Sequence, residues 1–303
     1  MDIEELKRLH TFNGVTGAKK SPIDIRDYKL ASVTTETDTT IPRIYEGTPP
    51  FKIKDQGQVG SCCPHAISET IEHLNVLDTG LYTEFSTGFI YGNKDDHNSE
   101  GVVIRDGLKF VNKTGDVLES DFPYNLEIPD IFTKLNENDI NQLNTKANQH
   151  KIVSYFQLSS DEDIKRSILK YGYVVIGMQW NSDNSIDYVM IQDENGNNVD
   201  YTATLIKGTD FSGYHCVLLF GWNDDLEYWN LANSWSENWG RNGCIRFPYT
   251  YGYDEAWGVQ GNTLESSKVT PTPTPVVVKP SDNAIYQLIA KVVNWVINLF
   301  KKK

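Results

Sequence analysis

Residues 55–77, DQGQVGSCCPHAISETIEHLNVL, decide the fold. The stretch opens as a turn, with Gly57 and Gly60 permitting tight backbone. It then takes helical spacing. Cys63, Ala66, Ile67, Thr70, Ile71, Leu74 and Leu77 recur along one stripe, and Ser68, Glu69, Glu72 and His73 fall on the other side. Ser61 is placed as N-cap and Pro64 in the first turn, so a helix is expected to end near Asp78-Thr79-Gly80. Cys62 then stands at the helix mouth, where free N–H groups and the dipole favour an anion. A thiolate there is expected to have a lowered pKa and to be a good nucleophile.

A nucleophilic thiol needs a base and an orienting group. His215 enters the apolar run GYHCVLL, which reads as a buried strand, and Asn233 follows in NLANSWSENWGRNG. In that order Cys62 attacks a carbonyl carbon, His215 takes the thiol proton and later protonates the leaving amine, and Asn233 orients the imidazole. Cys63 is the rival sulfur, but it falls on the core stripe of the helix. A lone histidine in an apolar run is usually a core residue. Asn233 and Trp235 downstream set His215 apart from the other five histidines; His65 and His73 read as ordinary helix residues, and His97 lies in a loop.

These three blocks resemble the papain-like cysteine peptidases. QGQVGSC resembles that family's nucleophile loop, YHCVLLFGW the strand carrying its histidine, and NSWSENWGRNGCIRF its Asn-Ser-Trp segment; the blocks occur in family order over roughly residues 41–260. The resemblance implies that the Gln56 side chain forms an oxyanion hole with the Cys62 N–H, and that Trp235 shelters the His215–Asn233 bond from water. It also implies an α+β fold of two subdomains, a helical half and an antiparallel β half, with the cleft between them. Departures include Val59 and Cys63 in place of a cysteine and a tryptophan. The family's substrate-backbone segment has no clear match, and Phe89–Gly101 is the candidate for it. Few cysteines and an Asp-Gln-Gly start place the pattern nearer bacterial and viral members.

The chain has 303 residues, 39% hydrophobic and 12% aromatic, which are globular values with room for a sizeable core. A net charge of −13 argues against a nucleic-acid partner. Four cysteines make no disulfide framework, which points to a reducing compartment. MDIEELKRLHTF lacks an apolar h-region, so no secretory signal is read there. No Cys or His spacing suits a metal, and no cofactor is expected.

Along the chain, residues 1–40 read as a leader or short prosegment, with a short helix over 2–10. Residues 41–268 read as the catalytic domain. SSDEDIKRSILKYG reads as a capped helix, and Asn195-Gly196 and Asn223-Asp224-Asp225 as hairpin turns. Asp224 and Asp225 are taken as solvated turn charges. Residues 269–283 form a Pro/Thr-rich linker, and residues 284–303 an amphipathic helix suited to a membrane surface or a partner protein. The functional expectation is a cysteine-type endopeptidase acting on protein or peptide substrates through a thioester; it counts as an endopeptidase because no His-His loop is present to block the cleft. The rival readings are an inactive binding module and an acyl transferase or amidase with the same triad. The expected location is intracellular, with membrane association through the tail, or a virion if the source is viral.

Overall fold

The computed structural model describes residues 3–10, 14–24, 27, 40–95, 97, 99–125 and 135–262. The expected linker and C-terminal helix lie outside them. A first unit, Met1–Glu265, separates from a second, Ser266–Lys303.

The helical part begins with α1 (Ile3–His10) and centres on α2 (Cys62–Thr79). Gly80 closes α2 in the left-handed conformation, donating its N–H to Val76. Helices α3 (Thr87–Gly92) and α4 (Ile104–Lys113) pack against α2, and α5 (Glu137–Ala147) is held by an Asn136 capping box. The expected helix after Lys151 is α6 (Asp161–Tyr171), with Ser160 accepting from the Asp163 N–H at 3.1 Å.

Two features of α2 differ from the expectation. Ser61 occupies the N-cap position, but its hydroxyl bonds to Tyr124 Oη at 2.7 Å and makes no cap bond. The polar side of the helix does not face water either: His65, Ser68, Glu69, Glu72 and His73 are all buried. Polar partners for several of them lie inside the protein. Lys54 Nζ pairs with Glu72 at 2.6 Å and donates to Ser68 Oγ and the Phe85 carbonyl, while the Lys54 N–H donates to Glu69. Helix α2 is therefore an interior rod, covered by helices on one side and by the sheet on the other.

The sheet is mostly antiparallel. Its strands are β2 (Ile44–Tyr45), β4 (Ile152–Gln157), β5 (Val174–Asn181), β6 (Ser185–Gln192), β7 (Asn198–Ile206), β8 (Phe211–Asn223), β9 (Tyr228–Ala232), β10 (Cys244–Pro248) and β11 (Glu255–Asn262). The order is β4-β11-β5-β8-β9-β10-β7-β6, with β2 added to β8. Both expected hairpins form, β6–β7 around Gly196 and β8–β9 after Asn223. Asp224 and Asp225 are not merely solvated: Asp224 accepts from Lys165 Nζ at 2.5 Å and Tyr249 Oη at 2.7 Å, and Asp225 pairs with Arg43. Strand β8 is central and almost wholly buried from His215 onward. Packed against α2, it brings the backbone of Cys216, the residue after His215, to the Cys62 thiol.

A second, two-stranded sheet pairs β1 (Ala18–Lys19) with β3 (Val102–Val103) in parallel. Through it residues 14–24, part of the expected leader, run across the mouth of α2. Gly17 and Gly60 make this crossing possible: a Cβ on Gly17 would overlap the Gly60 backbone.

Candidate active site

Cys62 is the first residue of α2 and is fully buried. Its thiol interacts with the backbone of Cys216, the residue after His215, and with the backbone of Gly17 in the leader. Cys63 is equally buried but points elsewhere: its Sγ lies 3.6 Å from where a Gly107 side chain would begin, inside the packing against α4. All four cysteines are free.

His215 Nε2 bonds Asn233 Oδ1 at 2.9 Å, and the same oxygen accepts the Ser234 N–H at 2.8 Å. A carbonyl oxygen on Nε2 requires the proton there, which leaves Nδ1 as the basic nitrogen. Nδ1 has no hydrogen-bond partner. The imidazole is stacked on Trp235, with ring centroids 4.7 Å apart and planes inclined 25°, and Trp235 is only 4% exposed. The bond between His215 and Asn233 is therefore made under an indole lid, away from water.

Sequence reasoning missed Trp180. Its ring meets His215 edge-on at 5.2 Å and Trp235 at 5.0 Å, so the imidazole is held between two indoles. Trp180 lies on β5, where register with β8 puts it beside the site; no local motif marks it.

Gln56 is fully buried and held from three sides. Its N–H donates to the Ser234 carbonyl at 2.9 Å, and its side-chain oxygen accepts from Ser234 Oγ at 2.7 Å. Its side-chain amide donates to Val59 O and to Val15 O, each at 2.9 Å. The Val15 carbonyl, from the leader, also accepts from Trp235 Nε1 at 3.3 Å.

The leader thus lies across Cys62, Gln56 and Trp235. Val15 engages Gln56 and Trp235, Gly17 touches Cys62, and the Gly17 carbonyl accepts the Val102 N–H at 2.9 Å. Beyond β1, Lys20 pairs with Asp254 at 2.9 Å and the Ser21 N–H donates to Glu255 at 2.9 Å. The backbone edge that receives this strand is Val102–Val103, just past the expected Phe89–Gly101.

This cover sets the electrostatics. A lowered thiol pKa was expected at the helix mouth, yet burial pushes the Cys62 thiol up to about 12, with Cys63 adding to the effect. Burial also lowers His215 to about 4, only partly opposed by its bond to Asn233. Burial thus favours the neutral form of each group, only partly opposed at the thiol by backbone hydrogen bonds from Cys216, Gly17 and Cys63.

Residues 45–262, well over half of the chain, match the family described as papain family cysteine protease. A cysteine protease of Blomia tropicalis is 28% identical over 220 residues, covering 67% of this chain and 57% of that protein. The chain therefore spans little more than half the length of that relative. Among solved structures, xylellain, a cysteine protease from Xylella fastidiosa, superposes with a TM-score of 0.65 at 26% identity, over 81% of this chain and 96% of its own. Digestive procathepsin L 3 of Tenebrio molitor shares the fold at a TM-score of 0.53 and 16% identity, over 74% of this chain and 71% of its own. The α+β architecture, the family match and these likenesses together place the chain in the papain family of cysteine proteases.

Proposed function

We propose that the chain hydrolyses peptide bonds as a cysteine endopeptidase and is held latent by its own leader. The observation that carries the reading is the His215 Nε2–Asn233 Oδ1 bond at 2.9 Å beneath Trp235, which leaves the basic Nδ1 without a partner among the described residues, while the next residue, Cys216, meets the Cys62 thiol through its backbone. Nδ1 takes the Cys62 proton as the sulfur attacks the substrate carbonyl carbon. The carbonyl oxygen gains the negative charge, and the Gln56 side-chain amide and the Cys62 N–H stabilise it. Collapse of the tetrahedral adduct breaks the C–N bond, and imidazolium returns its proton to the leaving amine. Water, activated by His215, then hydrolyses the thioester and restores the thiol.

Latency follows from the leader's contacts. It holds the Gln56 donor, touches the thiol and keeps water out, so neither nucleophile nor oxyanion hole is available until it leaves. Hydrolysis of a fluorogenic peptide library tests the reading. Cys62→Ala should abolish cleavage and Cys63→Ala should retain it; cleavage surviving Cys62→Ala contradicts it.

From residues 284–303 alone we further propose an interfacial helix. Gln287, Lys291, Asn294 and Asn298 form its polar stripe, Trp295 and Phe300 sit at headgroup level, and Lys301-Lys302-Lys303 favour anionic lipid. Among the described residues no helix is long and apolar enough to cross a membrane.

A further inference from the structure

Positive charge collects where the leader strand meets α4. Between β1, the segment after α3 and α4 lies a pocket of 390 Å³, within the span of about 300–1,000 Å³ usual for small-molecule sites. Four lysines line it: Lys19 from β1, Lys94 after α3, and Lys109 and Lys113 from α4. They stand against two aspartates, Asp95 and Asp106, in a chain whose net charge is −13.

One residue brings two of the lysines together. Lys19 Nζ donates to Ser99 Oγ, and Lys94 Nζ donates to the Ser99 carbonyl at 2.5 Å and to Tyr91 Oη at 3.1 Å. Two ammonium groups are thus tethered to a single serine although like charges repel. On α4, Lys109 and Lys113 are four residues apart, a like-charge spacing that disfavours a helix. The helix dipole favours Lys113 in the last turn, but it gives no reason for Lys109. Neither of these two has a hydrogen bond or ion pair among the described residues. An anion in the pocket would offset these repulsions together.

We propose that the pocket binds a small phosphomonoester, its head held between the lysines and its organic part against Val103 and Phe110 of the same wall. Such a head carries about −1.5 to −2 at neutral pH, which matches the excess of lysine over aspartate. Lys19 belongs to the leader, whereas Lys109 and Lys113 belong to the body. The bound ligand therefore ties the leader down, and by linkage the covered site favours the ligand. This consequence rests on the proposed latency; the binding itself does not.

Binding is measured without turnover, on the full-length chain carrying Cys62→Ala. Phenyl phosphate and benzenesulfonate are titrated at fixed ionic strength, followed by the NMR line width of each ligand. Phenyl phosphate should saturate, and benzenesulfonate, with a single charge, should bind about tenfold more weakly. Lys109→Gln combined with Lys113→Gln should weaken phenyl phosphate about tenfold. Lys52→Gln combined with Lys146→Gln, which removes two lysines paired with Glu84 and Asp121, should leave it unchanged. Lys19→Gln, and Gly17→Val, which lifts the leader off Gly60, should each weaken binding several-fold. Circular dichroism confirms that each variant is folded. Absence of saturation, equal affinity for the two probes, or an equal loss from the Lys52 and Lys146 pair overturns the site. Full affinity in both Lys19→Gln and Gly17→Val overturns the bridge to the leader. Cleavage by the sibling chain that keeps Cys62 reports on the peptidase reading separately: a chain that binds phenyl phosphate but cleaves no peptide keeps the site and loses that reading.

Discussion

The side-chain amide of Gln56 donates to the carbonyl oxygen of Val15 at 2.9 Å, so the leader's backbone occupies the donor assigned to the proposed oxyanion hole. The same carbonyl takes the indole N–H of Trp235, the residue that covers His215. One leader peptide unit is therefore tied to both sides of the candidate site. In the proposed reading, latency and catalysis compete for the same hydrogen-bond donors.

Gly17→Val should raise peptidase activity of the full-length chain, because the added side chain cannot fit against the Gly60 backbone and the leader must lift. A chain beginning at Ile41 should behave alike if it folds. Initial rates on a fluorogenic peptide, at equal folded fraction, check this. Unchanged rates in both would remove the leader from any inhibitory role.

Lifting the leader should also change the thiol. Burial holds Cys62 up to about 12, so in the intact chain alkylation by iodoacetamide should be slow at neutral pH and accelerate only in strong alkali. In Gly17→Val the pH at which alkylation half-saturates should move down, because water and the helix mouth can then support the thiolate. Superimposable pH–rate curves for the two chains would contradict this.

The residues around the sulfur should differ in cost. Gln56→Ala should lose about 2.7–4 kcal/mol of transition-state stabilisation, the usual cost of one oxyanion donor. Asn233→Ala should be milder than His215→Ala, since Asn233 orients the ring while His215 carries the proton. Trp180→Phe should retain the imidazole's edge-on contact, whereas Trp180→Ala should lower kcat by releasing it. Steady-state kinetics in a leader-lifted background separate these effects, and an unchanged Gln56→Ala enzyme would exclude Gln56 from the oxyanion hole.

Stability should vary with pH through the buried faces of α2. Burial raises Glu69 to about 8, so the folded chain holds that proton more tightly than the unfolded one. Its contribution is present below the ordinary carboxylate value of 4.5 and is lost as pH rises through about 8. Burial lowers His65 to about 3, which works the other way: its contribution is present above 6.5 and is lost as pH falls towards 3. The two together predict greatest stability at mildly acidic pH. Glu69→Gln should flatten the alkaline limb of a urea-midpoint profile and leave the acidic limb in place. A Glu69→Gln profile as steep as the parent between pH 6 and 8 would show that another group sets that limb.

The candidate constellation was legible in the sequence because each member sits in a local pattern. Cys62 follows a glycine turn and opens a helix, His215 interrupts an apolar strand, and Asn233 precedes a tryptophan-glycine segment. The α+β order was legible from the same switch of periodicity. What stayed hidden depends on register between distant segments. Trp180 reaches His215 only because β5 and β8 are adjacent. The leader's course was hidden as well, since a two-residue strand leaves no periodicity to read. The buried polar side of α2 defeated pattern reading for a related reason: Lys54, fifteen residues from Glu69, supplies the charge that lets those residues leave water.

The tail should bind membranes if its amphipathic pattern is used. In flotation with anionic liposomes the full chain should rise and a chain ending at Val269 should not. Both remaining at the bottom would exclude a membrane role for residues 284–303.

The most direct measurement is the identity of the sulfur that reacts. The Gly17→Val chain is treated with an epoxysuccinyl peptide, digested, and the modified residue located by mass spectrometry. A single adduct on Cys62, present in Cys63→Ala and lost in His215→Ala, is the predicted result. An adduct on Cys63 or Cys216 in place of Cys62, or labelling of Cys62 that is indifferent to His215, would contradict the account.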